Sequence, residues 1–184
     1  MVSNNHYRLI DQVMANSQDK TSWEIAVSEW EIVDHEEDIE MESQCVCGHE
    51  HLRYLFTIEN TENGNVLFPI GSSCIKKFER KDLNTQTTVL EKLYQLHHAI
   101  EDGEYIVLDS QFFSKNLIKY LYEHDVFLPN QYNQNDSEND YRFLLKMFNK
   151  RYKEDITENQ SRKIKALIMT IRAYLVVNLH SKTD

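Results

Sequence analysis

All three cysteines of this chain lie in the segment 45–74, and this clustering constrains the fold more than any other feature. The segment opens with the tetrapeptide Cys-Val-Cys-Gly and closes with Cys74. Three thiols cannot all pair with one another, so a reduced protein with thiolate metal ligands is favoured over a secreted disulfide scaffold. Zinc takes about four sulfur or nitrogen ligands at tetrahedral corners, and the segment therefore predicts one structural Zn²⁺ site.

The predicted ligands are Cys45, Cys47 and Cys74, with a histidine as the fourth. His51 is preferred because three residues separate it from Cys47 and let the chain fold back, and His49 is the alternative. The opposing interpretation is that the cysteines are ordinary buried thiols and the histidines are surface residues. Three thiolates reduce the acidity of a metal-bound water, so the predicted ion is structural rather than catalytic.

Hydrophobic periodicity predicts an α+β fold. Alternating apolar residues at 51–59 and 66–70, joined by Asn63-Gly64, predict a β-hairpin between the ligands, with Pro69 favouring an edge position or a bulge in the return strand. A weaker alternation at 21–34 predicts one long strand or two short ones, and residues 4–16 predict a helix. The rest of the chain has helical spacing.

Helix-boundary signals divide the remaining sequence. Ser72 or Ser73 is predicted to cap a helix that carries Cys74 in its first turn. Further signals are a stop at Gly103, a start at Asp109 or Ser110, a linker at 129–136 and a capping box at Thr157–Gln160. The predicted organisation is a region 1–82, with the N-terminal helix, strands and zinc hairpin, and a helical domain 83–184.

The negative charge is concentrated in the front of the chain. The net charge is −10, and residues 1–70 hold 3 Lys/Arg against 14 Asp/Glu. Such a surface repels nucleic acid and suits a basic protein partner. The predicted partner-binding carboxylates are Glu31, Asp34, Glu36, Glu37, Asp38, Glu40 and Glu42. The alternative is that the run 34–43 is only a solvated loop.

A basic cluster after the last cysteine offers a different surface, for phosphates. Its residues are Lys76, Lys77, Arg80 and Lys81. No phosphate-binding glycine loop, Gly-x-Ser-x-Gly elbow, zincin helix or deaminase pattern occurs, so the protein is predicted not to be an enzyme. The sequence shows no signal-peptide pattern and no bilayer-spanning apolar run, which predicts a cytoplasmic protein without membrane contact.

The chain resembles uncharacterised proteins of phages and mobile elements in Gram-positive bacteria. The resemblance lies in Cys45-Val-Cys-Gly-His, in Tyr54-Leu-Phe-Thr-Ile-Glu-Asn60 and in Phe68-Pro-Ile-Gly-Ser-Ser-Cys-Ile-Lys-Lys-Phe78. The order of knuckle, hairpin and helix-borne ligand resembles a treble-clef zinc module. The chain departs from that pattern at Val46, which stands alone between the first two cysteines, and at Lys77, where a second helix ligand is expected. Viral relatives also carry a cysteine near the position of Phe56, which this sequence lacks.

The resemblance implies a phage setting, where small acidic proteins commonly bind and disable host machinery. We therefore expect a non-enzymatic zinc-stabilised protein that binds and inhibits a host nucleic-acid-handling protein through its acidic surface. A restriction or CRISPR nuclease is the expected class of target, which makes the chain an anti-CRISPR candidate in the cytoplasm of a host bacterium. The alternative is a nucleic-acid-binding accessory protein that uses the basic cluster, and the second alternative is a zinc-dependent enzyme.

Overall fold

The computed structural model of the chain describes residues 4–179. The fold is α+β, as predicted, with a three-stranded antiparallel sheet followed by a mostly helical C-terminal part. The described residues divide into two compact units, 4–88 and 89–179. This division and the predicted boundary after residue 82 both fall inside the helix Lys81–Glu101.

The first unit contains the sheet and the cysteines. Its elements are α1 (Asn4–Asn16), α2 (Trp23–Ser28), β1 (Trp30–Glu37), β2 (Tyr54–Asn60), β3 (Val66–Ile70), α3 (Ser72–Ile75), a 3-10 turn (Lys76–Phe78) and the start of α4 (Lys81–Glu101). The helix predicted at 4–16 is confirmed, and its Leu9 and Val13 are fully buried.

The predicted hairpin is confirmed as β2 and β3. The strand order is β1-β2-β3, so β3, which carries Pro69, is an edge strand as expected. At the hairpin turn the amide of Asn60 donates to the Asn65 carbonyl at 2.8 Å, and Gly64 has a φ of +74°. A bulge between Ile32 and Asp34 interrupts the pairing of β1 with β2.

The strand predicted at residues 21–27 is wrong, because α2 occupies this segment. The Ser22 hydroxyl accepts a hydrogen bond from the Ile25 amide and caps the helix. Ala26 and Val27 are buried side by side, which a half-exposed strand does not allow, and the Trp23 ring packs edge-on against Phe78 at 5.5 Å. The second half of the predicted strand region is confirmed as β1.

A buried carboxylate closes the end of the sheet near the hairpin turn. Glu29 is 7% exposed and Asn60 is fully buried. The Glu29 carboxylate accepts hydrogen bonds from the amides of Gln18 and Asp19 at 2.7 and 2.8 Å and from Asn60 Nδ2 at 2.6 Å. Burial raises the pKa of Glu29, but these hydrogen bonds outweigh it and hold the pKa below its ordinary value.

The second unit is helical. It contains the C-terminal part of α4 and the helices α5 (Lys115–Glu123), α6 (Ser137–Phe148) and α7 (Glu158–Asn178). The capping box at Thr157 and Gln160 is confirmed, and α4 ends at Glu101, before the predicted stop at Gly103. Its core consists of buried residues from these elements and their loops, among them Leu93, Leu96, Phe113, Leu117, Ile118, Leu121, Leu144, Ile171 and Leu175.

One predicted helix boundary in this unit is wrong. The helix expected to start at Asp109 or Ser110 begins after Ser114, whose hydroxyl accepts from the Leu117 amide at 3.1 Å. The Asp109 carboxylate instead accepts from the Gln111 amide at 2.9 Å within a turn. The segment 129–136 lies between α5 and α6, as predicted for a connection, and its turns fold around the buried side chain of Asn133.

Candidate metal centre

A tight turn places the first two cysteines. The Gly48 amide donates to the Cys45 carbonyl at 2.6 Å, and the Cys45 amide donates to the carbonyl of His49 at 2.8 Å. Gly48 has a φ of +86°, in the left-handed region that residues with a side chain rarely adopt. The glycine of the Cys-Val-Cys-Gly motif therefore lets the chain reverse and bring both thiols to one side.

The third cysteine reaches the same place through the end of the hairpin. Strand β3 ends at Ile70, and Gly71 forms the N-cap of α3, so that Cys74 lies in this helix of four residues. The helix has no side-chain cap, and the expectation that Ser72 or Ser73 caps it is wrong because the extended residue at its start is Gly71. The Val46 amide donates to the Pro69 carbonyl at 2.9 Å, which ties the knuckle to β3.

The three sulfur atoms form a compact, buried group. Cys74 Sγ lies 3.7 Å from Cys45 Sγ and 3.4 Å from Cys47 Sγ, and the three residues are 3%, 1% and 2% exposed in chain order 45, 47, 74. All three atoms lie within 4.8 Å of one another. In a regular tetrahedron with Zn–S bonds of about 2.3 Å, adjacent sulfurs are about 3.8 Å apart. The three cysteines could hold a metal ion, and the predicted thiol cluster exists.

The environment of the cluster favours an ionised sulfur. The hydrogen bond with Cys74 and those from the backbone amides of Cys47 and Gly71 outweigh burial and lower the pKa of Cys45 to about 5. The same hydrogen bond to Cys45, together with burial, raises the pKa of Cys74. Thiolate is the form that binds metals, so the amides aimed at Cys45 suit a metal ligand.

The structure does not bring either candidate histidine to the sulfur atoms. His51 is exposed, and its Nδ1 lies 3.1 Å from the carbonyl oxygen of Met41. His49 is also exposed, although its carbonyl takes part in the knuckle turn. Within residues 4–179 no histidine, carboxylate or further cysteine joins the group within 4.8 Å. The side chains that could hold a metal ion here are thus the three cysteines, because His49 and His51 are exposed.

Several of the seven predicted partner-binding carboxylates make contacts within the chain. Glu31 pairs with Arg80 at 2.6 Å, and Glu37 pairs with Arg53 at 2.7 Å, with its side chain only 2% exposed. Asp38 accepts from the hydroxyl and amide of Ser43 at 2.6 and 2.8 Å, which lowers its pKa. Asp34 accepts from the amide of its neighbour His35 at 2.8 Å and is exposed, as are Glu40 and Glu42, whereas Glu36 is half-buried.

The charge run 34–43 is therefore not a single loop. Residues 34–37 belong to β1, and the remainder is a short loop organised around Asp38. This loop exposes Ile39 and Met41, which alternate in sequence with Glu40 and Glu42. The run is thus partly a strand and partly an acidic loop. The sequence alone did not predict that the apolar side chains of this loop are exposed.

The basic cluster does not form one helix. Lys76 and Lys77 lie in the 3-10 turn, Glu79 follows with a φ of +56°, and a new helix begins at Lys81. The Arg80 guanidinium is directed into the unit, where it donates to the carbonyl of Trp30 and to other backbone and carboxylate oxygens. Arg80 therefore binds its own chain rather than presenting its charge to phosphates.

Sequence reasoning missed two contacts that shape this region, the Glu29–Asn60 hydrogen bond and the inward guanidinium of Arg80. Both join residues far apart in sequence, so no local pattern marks them. A helical signal was present for α2, since Trp23, Ala26, Val27 and Trp30 follow a spacing of three and four.

No protein family, curated protein or solved structure matches this chain. Within residues 4–179 no helix combines the length and apolar character needed to cross a bilayer.

Proposed function

We propose that this protein is a non-enzymatic, zinc-stabilised binding protein of phage or mobile-element type. It binds and inhibits a basic, nucleic-acid-handling host protein in the host cytoplasm, with a restriction or CRISPR nuclease as the class of target. The phage setting rests on the motif resemblance at the cysteines and the hairpin. The thiol cluster supports the zinc, and the exposed side of the sheet supports the binding role.

The observation that carries the proposal is a row of side chains across the sheet. Strand pairing sets Glu31 opposite Glu59, and Glu59 opposite Val66, so the three side chains share one face. Asp34 pairs with Thr57 on the same face of β2, two residues before Glu59. We call this surface, with the neighbouring exposed Phe68, the acidic sheet face.

The acidic sheet face combines carboxylates with apolar groups. Val66 is 52% exposed and Phe68 46% exposed, both on the edge strand β3. Arg80 neutralises one carboxylate, Glu31, while Asp34 remains exposed. Interfaces gain affinity from buried apolar anchors and on-rate from complementary charge. A basic protein surface with apolar residues beside its Lys/Arg side chains fits this face.

A structural rather than catalytic ion fits the donor set. When bound, zinc would be held by Cys45, Cys47 and Cys74 and would contribute folding free energy directly. Thiolate charge weakens a metal's ability to acidify water. The role of the cluster is to lock the knuckle to the end of the hairpin, which keeps the sheet in shape.

The test is co-purification from the lysate of a Gram-positive host, followed by nuclease assays on the captured protein. We expect a basic nucleic-acid-binding protein whose activity falls when this chain is added. An Asp34→Asn/Phe68→Ser variant should lose capture, and raised salt should weaken it, since charges separated by more than about 10 Å are screened at ordinary ionic strength. Glu123→Gln, an exposed change in α5 of the second unit, is the matched control and should behave as the parent.

A gel-shift titration against salt gives the outcome that would overturn the proposal. Tight binding of isolated DNA or RNA with a steep salt slope, abolished by changing Lys76, Lys77 and Lys81, would establish the nucleic-acid-binding alternative. Turnover of a substrate by the purified chain alone would establish an enzyme.

A further inference from the structure

The second unit contains a pocket that the acidic sheet face and the thiol cluster do not involve. It has a volume of about 450 Å³ and lies among the loop 129–136 and the helices α6 and α7. Small-molecule sites in proteins typically have volumes of about 300–1,000 Å³, with apolar walls and a few placed polar groups. The pocket falls in this range, so its polar groups decide what it could bind.

An ion pair between a buried carboxylate and a half-buried ammonium group forms the polar part of the pocket lining. Asp140 on α6 is 3% exposed, and its Oδ1 lies 2.7 Å from Nζ of Lys163 on α7. The second oxygen, Oδ2, accepts a hydrogen bond from Nδ2 of the buried Asn133 at 2.8 Å. Both carboxylate oxygens are therefore engaged within the protein, and burial holds them in place.

The remaining hydrogen-bonding capacity of the pocket consists mainly of donors. An ammonium group has three N–H bonds, and Lys163 directs one of them to Asp140. Its side chain is 31% exposed and its Nζ lies 5.0 Å from the centre of the Phe143 ring, which fixes its position. The side chain of Asn130 makes its hydrogen bonds within its own loop: Nδ2 donates to the Leu128 carbonyl, and Oδ1 accepts from the Tyr132 amide.

The rest of the pocket lining includes apolar groups. Ala166 and Leu167 on α7 line the pocket. The Thr170 hydroxyl donates to the backbone carbonyl of Ala166 at 3.2 Å, so its proton is not available to a ligand. Tyr132 stands at the edge with its side chain mostly in solvent, at 82% exposure. An exposed aromatic ring beside an apolar wall is suited to covering a flat ligand.

We infer that this pocket binds a small organic acid with an aromatic body and one carboxylate. The carboxylate accepts hydrogen bonds from the free N–H groups of Lys163, and the ring lies between Tyr132 and the wall formed by Ala166 and Leu167. An acidic ligand fits because Asp140 orients Lys163 while both of its own oxygens are already occupied. A cationic ligand would meet the ammonium group of Lys163, while the carboxylate of Asp140 is only 3% exposed and already accepts a bond at each oxygen.

The experiment uses the full chain with two matched probes, 2-naphthoate and its neutral amide, 2-naphthamide. Binding is measured by calorimetry, and its place by amide chemical-shift changes in α6, α7 and the loop 129–136. We expect 2-naphthoate to bind about tenfold or more tightly than 2-naphthamide, the factor that a hydrogen bond to a charged group supplies. The shift changes should centre on this pocket.

Two variants and a control separate the roles. Lys163→Gln should remove the preference for the acid over the amide, whereas Tyr132→Ala should weaken both probes by a similar factor, about threefold to tenfold. Lys165→Gln, an exposed change on the same helix, should leave both affinities unchanged. Because Lys163→Gln leaves Asp140 without its cation, thermal unfolding checks that the variant folds, and the surface substitution Tyr132→Ala gives an independent test.

Equal affinity for the two probes would overturn the inference, and so would shift changes outside this pocket. The same holds if Tyr132→Ala and Lys165→Gln give identical affinities. None of these outcomes bears on the acidic sheet face, which lies in the other unit.

Discussion

The thiol cluster makes a quantitative prediction for the change Cys74→Ser. Cys74 is 2% exposed and its sulfur lies 3.4 and 3.7 Å from the other two. Serine has nearly the same shape but is a poor zinc ligand, so the variant should lose metal binding while keeping the packing of α3. We expect about one zinc per parent chain by elemental analysis and much less for the variant.

The magnitude follows from two separate costs. A buried hydroxyl without a matched partner costs about 1–3 kcal/mol whether or not metal is present. Zinc at a thousand times its dissociation constant adds about 4 kcal/mol to the folded state, and chelation removes it. We therefore expect a chelator to destabilise the parent by about 4 kcal/mol and Cys74→Ser by close to nothing. For a chain of this length each kcal/mol lowers Tm by about 2–4 °C, so the parent should lose about 8–16 °C.

Tryptophan fluorescence during urea unfolding is a suitable assay. Both tryptophans, Trp23 and Trp30, lie in the unit that holds the cluster, so the signal reports that unit and not the helical one. Trp30 is fully buried with its Nε1 donating to Ser17 Oγ at 2.9 Å, so its emission should shift strongly on unfolding. The free energies of parent and variant are compared with and without chelator.

Ile75→Val is the matched control, because Ile75 is the fully buried neighbour of Cys74 in the same helix. It should cost about 0.5–1.5 kcal/mol and keep the full response to chelator. A parent that contains no metal and does not respond to chelator would refute the reasoning. An equal chelator response in parent and Cys74→Ser would refute it as well, because the metal would then bind elsewhere.

Three further changes test the first unit. Gly48→Ala, at a φ of +86°, should cost about 1–2 kcal/mol by urea unfolding and weaken zinc affinity, since alanine disfavours the knuckle turn. Arg80→Lys should lower the free energy of unfolding by about 1–3 kcal/mol although the charge is retained, because an ammonium group cannot make the planar set of hydrogen bonds that reaches Trp30 and Glu31. The control is the exposed change Lys81→Gln, which should alter the free energy of unfolding by no more than about 0.5 kcal/mol. Glu29→Gln should destabilise the protein by about 1.5–3 kcal/mol at pH 7. The folded pKa of Glu29 lies below its ordinary 4.5, so its stabilisation is present above that pH and lost as pH falls through the folded pKa, and parent and Glu29→Gln should converge in acid titrations of stability.

Local signals were sufficient for the hairpin and for the thiol ligands. Asn63-Gly64 marked the turn, alternation marked the strands, and the Cys-Val-Cys-Gly motif with its glycine predicted the knuckle. These features depend on backbone preferences of a few neighbouring residues. The same is true of the capping box at Thr157, where two side chains satisfy two amides three residues apart.

The misplaced features depend on contacts between distant residues. Alternation at 21–27 suggested a strand, but packing of Trp23 against Phe78 stabilises a short helix there instead. The spacing of His51 allowed a fourth ligand, yet its φ of +60° and its contact with Met41 direct the ring to solvent. No feature of the sequence near Arg80 indicates that its guanidinium reaches back to β1.

The sheet is fixed at its two ends by different chemistry, and this explains why one face remains available. A three-stranded sheet of this size is marginal alone, and its inner face buries Trp30, Phe56, Ile58 and Ile70. At the end where β3 finishes, the thiol cluster ties the knuckle to the hairpin, while at the other end Glu29 and Arg80 bind loops and strand β1. Since the ends and the inner face supply the stability, the exposed Val66 and Phe68 on the outer face are not needed for it, whereas the outer carboxylate of Glu31 is paired with Arg80. Exposing large apolar side chains such as Val66 and Phe68 to water is unfavourable, and a protein surface that covers them would offset that cost.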